Sequence, residues 1–187
     1  MKQLNELKWK AFNLCEVFSI SAGVRLTKSD MMEGIRPFIG ASDSNNGITA
    51  FVSNSNLSLD SNVLGVNYNG SVVENFYHPY EAIFSDDVKR LHLLNYEDNK
   101  YVLLFMKSVI LKQKVKYQYG YKFNGERMAK QKIMLPVNDS GQPDYAFMEA
   151  YMKDVEKRLL TQYKAFLTRI YDSALNEKDA FEQSSLK

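Results

Sequence analysis

The sequence predicts an α+β fold, in which a mixed α/β domain is followed by one long C-terminal α-helix. Two Asn-Gly pairs, Asn46-Gly47 and Asn69-Gly70, lie between short apolar runs, a pattern typical of β-hairpins. Apolar residues recur every three or four positions across 98–112 and again across 144–175, where Gly and Pro are absent. The chain has 187 residues, 45% of them hydrophobic, which suffices for one domain with a core and a helical extension.

Several short strands are expected in the first part of the chain. The run Phe12–Ile20 predicts a strand, which also makes Cys15 a core residue. The segment Pro37–Ile39 is expected to be extended, because the residue before proline avoids the helical region. A polar loop at 53–62 separates the two hairpins. The other predicted strands are Ile48–Val52, Val63–Tyr68 and Ser71–Phe76.

A helix is predicted over 98–112, with Asp98 as its N-cap. Its apolar side would consist of Val102, Phe105, Met106, Val109 and Ile110. Residues 138–143 (NDSGQP) form a turn-rich break. We therefore predict two domains, 1–140 and 141–187.

The segment 144–175 predicts a single helix with a stripe of apolar side chains. At 1.5 Å per residue, about 32 residues span roughly 48 Å, which exceeds the core of the preceding domain. Part of the helix is expected to protrude, and its stripe would need a partner helix. The alternative is a helix folded back on its own domain. The predicted interface residues are Met148, Met152, Val155, Leu159, Tyr163, Phe166 and Ile170.

Charge is unevenly distributed, although the net charge is only +2. Residues 41–88 contain six acids and no Lys or Arg, whereas residues 89–136 contain eleven Lys or Arg and three acids, a net charge of +8. Within 112–122, Lys and then Tyr recur at every second position, which predicts a strand with one basic and aromatic face. Cations bind phosphates and planar rings pack on bases, so 112–132 is a candidate nucleic-acid surface. The alternative is a solvated strand with a Tyr ladder on the core.

Motifs of the common enzyme classes are absent from the sequence, including nucleotide-binding glycine loops, GxSxG and HExxH. No two prolines are adjacent, as an amino-methyltransferase loop requires, and no Glu-x-Lys follows Pro143-Asp144, as a restriction-type nuclease requires. His78 with Asp86 and Asp87 is one conceivable metal or general-base site. The alternative is a buried or turn histidine beside capping aspartates. We predict a binding protein that is not an enzyme and uses no metal or cofactor.

The sequence predicts neither a signal peptide nor a transmembrane helix. The N-terminal region carries charges through Glu16, and no apolar run reaches about 18 residues. The single cysteine excludes an internal disulfide framework and a Cys-rich zinc site. We expect a soluble, cytoplasmic protein with no membrane partner.

Four blocks of the sequence resemble target recognition domains in specificity subunits of type I, and related, restriction–modification systems. The opening block is WKAFNLCEVFSISAGVRLTKSDM (Trp9–Met31), and GIRPFIGASDSNNGITAFV (Gly34–Val52) is similar to the next. YHPYEAIFSDDV (Tyr77–Val88) and QKIMLPV (Gln131–Val137) are similar to later blocks. The order and spacing of the blocks carry the resemblance, together with the turn and long helix that follow them.

The resemblance implies a DNA-reading subunit without catalysis of its own. Such subunits choose the DNA sequence, while a separate methyltransferase subunit modifies adenine and a separate motor–nuclease subunit cleaves. The implied partners are double-stranded DNA and the methyltransferase subunit. Whether the motor–nuclease subunit is also a partner is left open. A full specificity subunit resembles two recognition domains joined by two helical spacers, and this chain has room for one of each. Two copies paired antiparallel through the long helices would read an interrupted palindrome, because a symmetric protein reads symmetric DNA.

The basic segment lies in the part of the chain that resembles the recognition domain, so we predict DNA contacts there. The predicted residues are Lys112, Lys114, Lys116, Tyr117, Tyr119, Lys122, Arg127, Lys130 and Lys132. The lysines suit phosphates, and Arg127 suits a bidentate contact with guanine. Candidates for adenine are Gln113, Gln118 and Asn124. Asn45 and Asn46 are weaker candidates, since turn chemistry also explains them.

A second function remains open. The chain would then be a protein-interaction or decoy module that uses its C-terminal helix and does not read DNA.

Overall fold

The computed structural model describes residues 3–117 and 123–185, with side chains described as far as Ala174. Within these residues the chain forms nine strands and four α-helices, which confirms the predicted α+β class. The strands are β1 (Trp9–Asn13), β2 (Phe18–Ala22), β3 (Glu33–Ile39), β4 (Ile48–Val52), β5 (Val63–Asn67), β6 (Asn75–His78), β7 (Ile83–Phe84), β8 (Val88–Leu93) and β9 (Lys132–Pro136). The helices are α1 (Leu14–Val17), α2 (Lys100–Leu111), α3 (Gly125–Lys130) and α4 (Tyr145–Ser185). The chain divides into two compact units, Met1–Glu149 and Ala150–Lys187.

The strands of the first unit form three sheets. A four-stranded antiparallel sheet has the order β2-β8-β5-β6, a three-stranded sheet has the order β4-β3-β7, and β1 pairs with β9. Val63 and Val88 of the four-stranded sheet pack in one buried cluster with Ile39 and Phe84 of the three-stranded sheet. On the opposite face, Leu64 of β5 is also fully buried, and β5 and β6 contact α2. The four-stranded sheet is therefore the middle layer.

Both predicted hairpins form. The turn before β4 places Asn46 at φ 53° and Gly47 at φ 76°, a left-handed backbone that suits these two residue types. β5 and β6 pair antiparallel around Gly70, which has φ 64°. The strand predicted to begin at residue 71 begins only at Asn75, because Val73 also adopts a positive φ, 69°, inside a second turn.

The strand predicted over 12–20 is wrong, because α1 interrupts it between β1 and β2. The carboxylate of Glu16 accepts a hydrogen bond from the backbone N–H of Asn13 (2.5 Å), which closes the first helical turn. Leu14 and Val17 are three residues apart, share one face and are buried. Cys15 points away from that face and is exposed, so it is not a core residue.

Helix α2 forms as predicted, but its N-cap is Asn99 and not Asp98. The Asn99 side chain accepts hydrogen bonds from the backbone N–H groups of Tyr101 (3.1 Å) and Val102 (3.0 Å). The Asp98 carboxylate instead accepts from the backbone N–H of Leu93 (2.8 Å). The predicted apolar side, Val102, Phe105, Met106, Val109 and Ile110, is buried.

Helix α4 has 41 residues and extends past the predicted end at 175. Asp144 caps its start, since its carboxylate accepts a hydrogen bond from the N–H of Phe147 (3.0 Å). Tyr145 stacks on Tyr96 with 4.7 Å between ring centroids, and Tyr96 and Asn99 donate to the Glu149 carboxylate (3.2 and 3.1 Å). These contacts lie within the first unit. Among the described residues, no helix is long and apolar enough to cross a membrane.

Candidate nucleic-acid interface

The described part of this stretch of the basic segment, residues 112–117, does not form the predicted strand. Helix α2 ends at Leu111, Lys112 follows as its C-cap, and Lys114–Lys116 form a single 3-10 turn. The N–H groups of Lys116 and Tyr117 close this turn onto the carbonyls of Gln113 (2.9 Å) and Lys114 (3.0 Å). The spacing of two in the sequence therefore does not place these side chains on one face. Tyr119 and Lys122 lie outside the described residues.

Three of the predicted lysines interact with neighbouring side chains. Lys114 forms an ion pair with Glu74 in the connection between β5 and β6. Lys130 pairs with Glu126 one helical turn before it (2.8 Å), and this exposed pair lowers the pKa of Glu126 and raises that of Lys130. Lys116 donates to the Gln113 side chain (2.7 Å). The Lys130–Glu126 pair is exposed on both sides and holds the ammonium weakly, so a phosphate can compete for it.

A side-chain network holds Tyr117 at the end of the 3-10 turn. Its hydroxyl donates to Oε1 of the buried Gln131 (2.5 Å), and Nε2 of Gln131 donates to Oε1 of Gln113 (3.1 Å). The Tyr117 ring also packs on Phe123, with 4.5 Å between centroids. The network joins the segment after α2 to the residue before β9.

Helix α3 and this network enclose an open depression of about 440 Å³. The lining residues are Tyr117, Asn124, Glu126, Arg127, Lys130 and Gln131. The structure thus brings together three of the predicted DNA-contacting residues, Tyr117, Arg127 and Lys130. Lys112 and Lys132 are exposed outside the depression, on the C-cap of α2 and on β9.

The predicted adenine readers are partly occupied by structural contacts. Asn124 is the N-cap of α3 and accepts from the N–H of Arg127 (3.0 Å). Gln113 accepts from Gln131 and Lys116. Asn45 and Asn46 both adopt the left-handed backbone of the turn (φ 49° and 53°), Asn46 also donates to the hydroxyl of Tyr80 (2.8 Å), and Asn45 is exposed. Gln118 lies outside the described residues.

The apolar stripe of α4 is mostly exposed. Its large side chains beyond Val155 are 45–64% exposed: Leu159, Leu160, Tyr163, Phe166, Leu167, Ile170 and Tyr171. Met152 and Val155 are half-buried. Met148 is fully buried in the first unit and is therefore not available to a partner helix, which corrects its place in the predicted interface.

The alternative site at His78, Asp86 and Asp87 is not assembled. His78 is fully buried, its Nδ1 lies 3.3 Å from the Tyr80 hydroxyl, and burial lowers its pKa to about 4. Asp87 accepts from Asn69 (2.9 Å), and Asp86 lies 3.8 Å from Arg25. The described part of the chain contains no group of three His, Cys, Asp or Glu residues that could hold a metal.

The other histidine, His92, lies in a charged cluster that the sequence does not reveal. Its Nδ1 is 2.7 Å from Asp98, its Nε2 is 3.0 Å from Asp60, and Asp60 also pairs with Arg90 (2.8 Å). The hydrogen bond to Asp98, and a further one to Asp60, raise the pKa of His92 to about 9 against the effect of burial. The predictions from sequence missed this cluster. Of its members they considered only Asp98, which the local pattern assigns to the N-cap of α2.

Comparison with known proteins identifies the family. Residues 6–165 match the family model described as the type I restriction modification DNA specificity domain. The chain belongs to this family. Within it, the chain is 64% identical over 160 residues to the type II restriction enzyme BgcI specificity subunit S.BcgI from Heyndrickxia coagulans. That match covers 86% of this chain and 47% of the relative, so the chain spans about half the length of the curated relative it matches.

Solved specificity-domain structures share the fold. The S subunit of a type I restriction–modification system from M. genitalium aligns with a TM-score of 0.60 at 18% identity, covering 88% of this chain and 43% of that one. HsdS from Thermoanaerobacter tengcongensis aligns with a TM-score of 0.59 at 13% identity, covering 84% and 39%. Both comparisons match this chain to less than half of the solved subunit.

Proposed function

We propose that this chain is a DNA-sequence recognition subunit of a restriction–modification complex and directs an adenine methyltransferase, with an associated nuclease, to an interrupted target site. The observation that carries the proposal is the match of residues 6–165 to a DNA specificity domain, strengthened by 64% identity to a specificity subunit. In this role the chain performs no catalysis itself and acts in the cytoplasm, where the DNA is.

We assign DNA contact to the surface around α3. The open depression carries Arg127, Lys130 and Tyr117, which offer cations and a ring to a nucleic acid. Lys112, Lys114, Lys116 and Lys132 flank it. Lys130 can exchange its exposed carboxylate partner, Glu126, for phosphate, whereas the Glu74 carboxylate that holds Lys114 is only 16% exposed.

We assign pairing to the stripe of α4, so that two copies form a two-fold dimer and each supplies one recognition domain. The support is the row of exposed apolar side chains from Leu159 to Tyr171. The methyltransferase subunit is the second partner, and the domain limits 1–140 and 141–187 remain part of this proposal.

The experiment is selection from a pool of random DNA duplexes by the chain mixed with its candidate methyltransferase subunit. An enriched, gapped palindrome is the expected result. An enriched single half-site would support DNA reading by this chain but contradict the symmetric dimer. No enrichment, with the complex verified by light scattering, would favour the alternative interaction module, for which the exposed stripe of α4 is the supporting observation.

Two sets of variants test the assigned surfaces. Replacing Lys116 and Lys130 with Gln should weaken binding to all duplexes alike, because phosphate contacts do not depend on sequence. Replacing Leu159 and Phe166 with Gln should break dimer or methyltransferase assembly, while Asp172→Asn, on the opposite face of α4, should not. Intact assembly by the folded double variant would contradict the assigned pairing surface.

A further inference from the structure

A lysine outside the predicted basic segment lies beside the α3 surface. Lys89 is the second residue of β8, in the interior of the four-stranded sheet, where it pairs with Ala22 of β2 and Val66 of β5. A Cβ atom on Gly125, the first residue of α3, would lie 4.0 Å from Cε of Lys89 and would meet nothing else within that distance. The sheet therefore fixes the backbone of Lys89, and its side chain reaches the start of α3.

The ammonium of Lys89 keeps its charge available. It lies 4.5 Å from the centroid of the Tyr68 ring, and no carboxylate in the described residues lies within ion-pair distance of it. Arg90, the next residue, points to the opposite face of the sheet and is held by Asp60. Burial lowers the pKa of Lys89 and Asp86 opposes this effect, so an anion bound at the ammonium would favour its charged form further.

Tyr68 adds a neutral donor to the same place. Its hydroxyl has no hydrogen-bond partner among the described residues. Burial, with the charges of Asp87 and Asp86, raises the pKa of Tyr68, so the hydroxyl stays protonated and can donate. A cation and a hydroxyl donor side by side suit the oxygens of a DNA phosphate.

The position is continuous with the proposed DNA surface. Gly125 starts the helix that carries Arg127 and Lys130, and the connection from Tyr68 to Glu74 meets the basic segment again at Lys114. We propose that Lys89 and Tyr68 form a DNA-phosphate contact that extends the α3 surface onto the central sheet. This inference rests on the proposed DNA-reading function and adds two residues to it.

The test measures duplex affinity against salt concentration, using the full chain with its candidate methyltransferase subunit. Lys89→Gln should lower affinity about fivefold for selected and scrambled duplexes alike. It should also reduce the slope of log K against log salt by about one, because one phosphate contact contributes about one to that slope. Lys89→Arg should keep the slope. Lys100→Gln is the matched control, because Lys100 also lies over a ring, that of Tyr101 at 5.3 Å, at the far end of α2.

Tyr68→Phe keeps the ring under the ammonium and removes the hydroxyl. It should lower affinity while leaving the salt slope unchanged, and it does not depend on whether Lys89→Gln folds. Unchanged affinity and slope in Lys89→Gln, or a loss of affinity for one DNA sequence alone, would overturn the phosphate contact. If the wild-type complex still binds DNA in that case, the proposed function stands. A wild-type complex that binds no duplex would instead overturn the proposed function.

Discussion

The imidazole of His92 lies between Asp98 (2.7 Å) and Asp60 (3.0 Å), so one protonated ring joins β8 to the loop before β5 and to the residue before the cap of α2. Arg90 adds a second cation to Asp60. This cluster ties together segments that are far apart in the sequence, and its charge state should affect the stability of the first unit.

We expect alkaline pH to weaken the fold through His92. Its pKa is about 9 in the folded state, above the ordinary 6.5, so the folded state holds the proton more tightly. The stabilisation is complete below pH 6.5 and is lost as the pH rises through 9. Because the ring is about one third exposed, we expect a contribution of about 1 kcal/mol. Urea denaturation at pH 7 and pH 9.5 measures it, with His92→Gln as control. Equal pH dependence in the variant would contradict this role.

We expect acid pH to weaken the fold through His78. Burial lowers its pKa to about 4, so the unfolded chain binds the proton more tightly between pH 6.5 and pH 4. The stability is complete above pH 6.5 and falls as the pH approaches 4, by up to about 3 kcal/mol. Denaturation curves at pH 7 and pH 4.5 test this. In His78→Gln the difference between the two curves should shrink, and an unchanged difference would assign acid sensitivity to other groups.

Gly23 should tolerate no side chain. A Cβ atom there would lie 2.0 Å from the carbonyl oxygen of Ser85 and 2.5 Å from that of Phe84, both on the backbone. Gly23→Ala should therefore cost about 1–3 kcal/mol, the usual range for forced overpacking. Gly125→Ala is the matched control, because a Cβ there would make only an ordinary van der Waals contact with Cε of Lys89 (4.0 Å) and alanine favours the helix. A thermal melt of each variant checks this. A Gly23→Ala melting temperature equal to wild type would show that the backbone can move apart.

Asn99 should stabilise both the start of α2 and the base of α4. Its side chain caps two backbone N–H groups of α2 and donates to Glu149 (3.1 Å). Asn99→Ala should lower the free energy of unfolding by about 1–2 kcal/mol. Asn99→Ser keeps a cap and should lose less. Chemical denaturation separates the three proteins, and equal losses in Ala and Ser would mean that the bond to Glu149 carries the effect.

The regular elements with strong local patterns could be predicted from the sequence. The apolar period of α2 and of α4, and the Asn-Gly turns before β4 and after β5, depend on residues close together in the chain. The order of the four family-like blocks similarly indicates the specificity-domain family from the residues alone. Local pattern fails where two interpretations fit it, as at Cys15, where one turn of helix replaces a strand.

The arrangement of charges was decided only by the tertiary structure. The alternation of Lys112, Lys114 and Lys116 suggests a strand face, but the structure places a helix end and a 3-10 turn at these residues. Whether a lysine meets a carboxylate, as Lys114 meets Glu74, or a ring, as Lys89 meets Tyr68, depends on contacts across 40 and 21 positions of the chain. Sequence periodicity reports neighbours within one element, whereas ion pairs and buried histidines depend on how the elements pack.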